Sequence, residues 1–175
     1  IYQCDWSSDV CSSDLVNVTT QAGDVVIVAA AMENGTTSFT VPTGNGITFT
    51  QKILSTDNSA AAANAVIFTG TDNVGGSNWT LSVSNSGDLV FGATCYVFRY
   101  SNGIGNANSA NLSLGSGAAT LTLVTGQANS AVVVMDADWN GGASVPSHTW
   151  TTINGITPTA GNGEILTFAS SNYIV

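Results

Sequence analysis

The sequence predicts an all-β chain: a jelly-roll or Ig-like two-sheet sandwich formed from two similar halves and C-terminally truncated. Three observations predict it. Short apolar or alternating runs recur along the chain, Gly/Asn clusters separate them, and a string near the start returns in the second half. Runs of this length with turn signals between them are how sandwiches and barrels read in sequence.

From Val16 onward the candidate strands are 16–20, 25–32, 37–41, 47–54, 64–70, 79–84 and 89–99, then 120–124, 131–138, 148–152, 164–168 and 172–175. Asn34-Gly35, Thr43-Gly44-Asn45-Gly46, Asp72-Asn73-Val74-Gly75-Gly76 and Asn140-Gly141-Gly142 separate several of them. These residues tolerate the positive φ angles that tight turns need. Ala60–Ala63 has helical propensity, but it is too short to stand as a helix and reads as loop.

The repeat aligns Gln21-Ala22-Gly23-Asp24-Val25-Val26-Ile27-Val28 with Gln127-Ala128-Asn129-Ser130-Ala131-Val132-Val133-Val134. In the same register Ala31-Met32-Glu33-Asn34-Gly35 meets Ala137-Asp138-Trp139-Asn140-Gly141, and Asn45-Gly46-Ile47-Thr48 later meets Asn154-Gly155-Ile156-Thr157. The reading is one β-sandwich domain over 16–175: half 1 at about 16–100, a Gly/Asn/Ser-rich junction at 101–119, and an incomplete half 2 at 120–175. Long apolar runs such as 25–32 suit halves buried against each other. Two tandem Ig-like modules are the alternative. Near-equal repeats would carry half 2 past Val175, so its closing strands are expected to be missing.

Composition excludes several functions. Hydrophobic residues make up 43% of the 175 and charged residues only 7%, so Ser, Thr, Asn and Gly must build the polar surface. This composition is typical of exported or particle-bound β proteins. Lys52 and Arg99 are the sole basic residues, too few to displace phosphate counterions, so no nucleic-acid partner is expected. An anionic membrane surface is disfavoured for the same reason.

Residues 5–15, Asp-Trp-Ser-Ser-Asp-Val-Cys-Ser-Ser-Asp-Leu, resemble one translated frame of a common short-read sequencing adapter, each residue fitting a codon. Residues 1–15 are therefore read as a non-native, adapter-derived segment and excluded from fold reasoning. Cys4 and Cys11 leave with them, so Cys95 is the single authentic cysteine and a Cys4–Cys11 bridge or zinc site would be spurious.

Val97-Phe98-Arg99-Tyr100-Ser101-Asn102-Gly103-Ile104-Gly105 leads into Thr125-Gly126-Gln127-Ala128-Asn129-Ser130. Asp138-Trp139-Asn140 and Asn154-Gly155-Ile156-Thr157-Pro158-Thr159 follow. This arrangement resembles β-sandwich domains of phage tail and minor virion proteins, and related modules of bacterial surface proteins. The resemblance spans most of 16–175 on short strings. It implies a structural or attachment role beside other virion or surface-protein chains, self-association included, and brings no catalytic residues.

Asp136 and Asp138 are the sharpest polar pair. On a strand they share a face roughly 6.5–7 Å apart, a spacing open to Ca2+ with further oxygen ligands or to paired glycosidase carboxylates. A solvated strand end is the favoured reading, because Ala30 and Met32 hold the same places in half 1. Asp138, Trp139 and Asn140 could form a sugar-stacking platform for host glycans, with Trp79 and Trp150 as further aromatic candidates, although strand aromatics more often pack. His148 has no partner spacing for a triad or zinc site. Cys95 reads as a small buried residue, and Arg99 as a cation stacking on rings or meeting an acid. Gly103-Ile104-Gly105 is followed by no helix that could seat a phosphate. The expectation is a non-enzymatic structural or interaction module with no catalytic residues and no cofactor beyond Ca2+; a lectin-like carbohydrate-binding module is the alternative.

Overall fold

The computed structural model describes residues 2–6, 13–32, 38–55, 64–86, 91–109, 122–127, 130–133, 135–138, 164–169 and 172–174. It is all-β, with no helix among them. Eleven strands run in chain order: β1 Tyr2–Trp6, β2 Ser13–Gln21, β3 Asp24–Met32, β4 Phe39–Thr43, β5 Thr50–Ser55, β6 Asn64–Asp72, β7 Gly75–Asn85, β8 Phe91–Phe98, β9 Met135–Asp138, β10 Glu164–Ala169 and β11 Asn172–Ile174. All seven strands expected between residues 16 and 99 are present. Of 120–124, the described residues 122–124 lie outside any strand; the 131–138 run is strand only over 135–138, and 148–152 falls outside the described residues.

Two antiparallel sheets face each other. One has the order β8-β3-β6-β5, with β1 added along β8; the other has the order β2-β7-β4. The first sheet is the longer-paired: β3 matches β6 from Asp24↔Asp72 to Met32↔Asn64, and matches β8 from Val25↔Phe98 to Met32↔Phe91. In the second sheet the β2–β7 ladder shifts between Val18 and Thr20. Asn78 accommodates the extra residue of this bulge with φ 56°, and its N–H donates to Thr19 Oγ1 at 3.1 Å.

The core fills the space between the sheets with Val26, Val28, Ala30 and Met32 from β3, Val66 and Phe68 from β6, and Phe91, Ala93, Cys95 and Val97 from β8. Val18, Leu81 and Val83 answer from the opposite sheet, and Ile47 and Phe49 enter from the loop before β5. Among the described residues, the members of this core lie between residues 18 and 97.

The two sheets differ in what covers their outer faces. In β7, buried Leu81 and Val83 alternate with Thr80, exposed, and Ser82 and Ser84, partly exposed, the pattern of a strand with one wet face. In β3 all residues but Ile27 are buried, and in β8 all but Phe98. That is why 25–32 is continuously apolar although its neighbours are antiparallel: both faces are covered. Strand β9 lies against the outer side of this sheet at β3 and β6. It belongs to a third sheet, β11-β10-β9, in which β9 and β10 run parallel, so β9 does not reproduce the two antiparallel neighbours of β3.

Candidate functional site at the Asp72 end of the sandwich

The sequence-selected ligand residues fall mostly beyond description. Trp139 and Asn140 lie outside the described residues, as do His148 and Trp150. Asp136 and Asp138 are placed by their backbone in β9, opposite Ile165 and Thr167 of β10. Trp79 is a packing residue. Its ring lies half-buried against the core, and its Nε1–H donates to Thr20 Oγ1 at 2.8 Å. Gly44 makes room for it: a Cβ there would stand 2.5 Å from Trp79 Cζ3 and 2.7 Å from the Thr80 carbonyl. Cys95 is buried in the core, as its apolar run predicts.

What the structure assembles instead is a polar network at one pole of the sandwich, centred on Asp72 at the end of β6. The Asp72 carboxylate is fully buried. Its Oδ2 accepts from Thr20 Oγ1 at 2.5 Å and Asn45 Nδ2 at 2.7 Å; its Oδ1 accepts from the backbone N–H groups of Val74 at 2.9 Å and Gly75 at 2.8 Å. Its carbonyl accepts from Gly23 N–H at 2.6 Å. One residue thus holds strand β2, the 22–23 turn, the 44–47 turn and the 73–74 turn. Burial alone pushes the Asp72 carboxyl up, but the bonds from Thr20, Gly75, Val74 and Asn45 outweigh it and hold the group below its ordinary 3.8.

A second acid sits beside it. Asp24 is paired across the ladder with Asp72, and its Oδ2 accepts from Gln21 N–H at 2.8 Å and from Arg99 Nη2 at 3.4 Å. The expected acid partner of Arg99 is therefore Asp24, at the start of β3. Asn45-Gly46 is a two-residue turn with φ 46° and 68°, closed by Ile47 N–H donating to Gly44 carbonyl at 2.9 Å. Two consecutive positive φ angles are what an Asn-Gly type I′ turn supplies.

Over this scaffold the turns present apolar groups to solvent. Val74 is 76% exposed, and Tyr100, at φ 59° immediately after Arg99, is 92% exposed. An aromatic residue held in the left-handed region is uncommon. Beside the 73–74 turn, on the outer face of β6, lies a shallow depression of about 320 Å³. It is lined by Thr48, Thr50, Thr69, Thr71, Asn73 and Ile104, all uncharged and mostly hydroxyl-bearing. No three His, Cys, Asp or Glu side chains come together among the described residues.

In the sequence Asp72 shows only as a member of a turn cluster. The signal was there: an acid followed three residues later by Gly is a side chain able to cap the turn it opens. That Thr20 and Asn45 would also reach it depends on contacts the sequence does not display.

No family model, curated protein or solved structure matches the chain.

Proposed function

We propose that the chain is a non-enzymatic structural or interaction module of a virion tail or surface protein, meeting other chains of the same assembly through its loop-bearing pole. One observation carries the reading. The acids buried at that pole are both engaged in holding it: Asp72 caps the turn that puts Val74 out in solvent, and Asp24 pairs with Arg99, next to exposed Tyr100. Rigid loops presenting an aromatic and an aliphatic group form a contact surface whose ordering cost is already met by the fold. The low charge of the chain and its resemblance to phage and surface sandwiches agree with this role.

The test is co-fractionation of the full-length protein with virions or cell-envelope particles on a density gradient, alongside the identity of the neighbouring genes. Retention on particles that weakens in the Tyr100→Ala and Val74→Ser variants supports the reading. A protein that runs free of particles, encoded among polysaccharide-degradation genes, removes it.

The hydroxyl-lined depression favours one second reading, a lectin-like module for neutral glycans. A glycan array on the full chain decides it, with Trp139→Ala testing the sequence-selected residues and Thr71→Val testing the depression. Absence of binding, or binding indifferent to both substitutions, sinks it.

A further inference from the structure

The outer face of the β8-β3-β6-β5 sheet has a composition that a solvated face does not need. Cross-strand register sets its rows: Tyr96, Ile27 and Thr69 lie side by side, then Thr94, Ala29 and Ile67, then Gly92, Ala31 and Ala65. Ala31 is 0% exposed, and Ala29 and Thr94 are 1% exposed. The Thr94 hydroxyl is buried without a hydrogen-bond partner, a cost a surface threonine would not bear. Meanwhile the described members of the sandwich core, residues 18–97, are a separate set: Val26, Val28, Ala30 and Met32 of β3 belong to it, and the alternate residues Ala29 and Ala31 do not.

The occupant is on the same chain. Strand β9 packs on β3 and β6, and it ends the very segment, Ser130–Asp138, that the sequence repeat aligns with Asp24–Met32. Small side chains in the middle of the face let a second β layer approach closely, with Ile27, Ile67 and Tyr96 available as larger contacts.

We propose that this face is a docking surface between two packing units of one chain: a self-contained sandwich over residues 13–98, and a second unit, beginning at Ser130, seated upon it. This inference stands apart from the virion reading, because it concerns the chain's internal organisation whatever particle it belongs to.

Hydrogen exchange of the full-length chain tests it, read by peptide and combined with mass in solution. Ala29→Glu puts a charge on the outer face; Ala30→Glu puts one in the core. The expected result is that Ala29→Glu lowers protection across 130–138 and 164–169 by about tenfold or more while β2–β8 keep theirs, and that Ala30→Glu strips both. In the unsubstituted chain, graded urea should open the second unit at lower concentration than β2–β8, a reading that does not depend on either variant folding. A single common opening overturns the proposal. So does protection at 130–138 that ignores Ala29→Glu, or a doubled mass in the wild-type chain that Ala29→Glu abolishes, which would make a second copy the occupant.

Discussion

Replacing Asp72 with Ala removes the acceptor shared by four donors, and its cost can be worked from where those donors sit. Val74 N–H belongs to an exposed turn residue and Asn45 Nδ2 lies at a partly exposed turn, so water can replace the lost partner at both. Gly75 is likewise partly exposed, whereas Thr20 is buried and its hydroxyl is left without its acceptor. A stranded buried donor costs about 1–3 kcal/mol, and the lost bonds are charge-assisted, so Asp72→Ala should destabilise the sandwich by about 3–5 kcal/mol. Asp72→Asn keeps an acceptor for Val74 and Gly75 but points an amide N–H₂ at Asn45 Nδ2; about 1–3 kcal/mol is expected. The assay is urea unfolding followed by circular dichroism, with Thr20→Val completing a double-mutant cycle. Thr20→Val must cost less in the Asp72→Ala background than in wild type, because its partner is already gone. An Asp72→Ala loss under about 1 kcal/mol, or strict additivity with Thr20→Val, would refute the view that this carboxylate organises the pole.

Three other outcomes follow from the same structure. The Asp72 carboxyl is held below its ordinary 3.8 in the folded chain; the unfolded chain therefore binds the proton first, and this contribution to stability is full above that value and lost as pH falls through it. Urea midpoints between neutral pH and roughly pH 3 should drop more steeply in wild type than in Asp72→Asn. Gly44→Ala should cost about 1–3 kcal/mol, because the new methyl meets the Trp79 ring and the Thr80 carbonyl; an unchanged melting temperature would show that the ring moves aside freely. Cys95, fully buried in the core, should resist alkylation in native buffer and label in reducing denaturant, as read on its own peptide by mass spectrometry; rapid native labelling would contradict its place in the core.

The fold was legible because strand signals are local. Seven strands of the sandwich could be read from runs such as 79–84, where Leu81 and Val83 alternate with Thr80 and Ser82, and from turns such as Asn45-Gly46. The run 25–32 was legible as a strand, and its continuous apolarity has its reason in the register: among the described residues β3 is buried on both faces. The pole was harder. Asp24, Asp72 and Arg99 are distant in sequence and gain their roles from the β3–β6 and β3–β8 registers, which no single run encodes. Attention to exposed-looking acids and tryptophans favoured 136–140, while the acids that organise the described residues are fully buried.

The Asp72 network also has a kinetic consequence. Its side-chain partners are separated along the chain by 52 residues for Thr20 and 27 for Asn45, and Thr20 is itself joined to Trp79 across 59. Closing such long loops is entropically costly, so these bonds are made after the β3–β6 and β2–β7 pairings bring their strands together. Interactions absent at the folding barrier slow unfolding without hastening folding. The pole is therefore a latch on an already folded sandwich: weakening it should steepen escape from the native state and leave the refolding limb nearly unmoved. For a module working within an assembly, resistance to opening is governed by such late contacts.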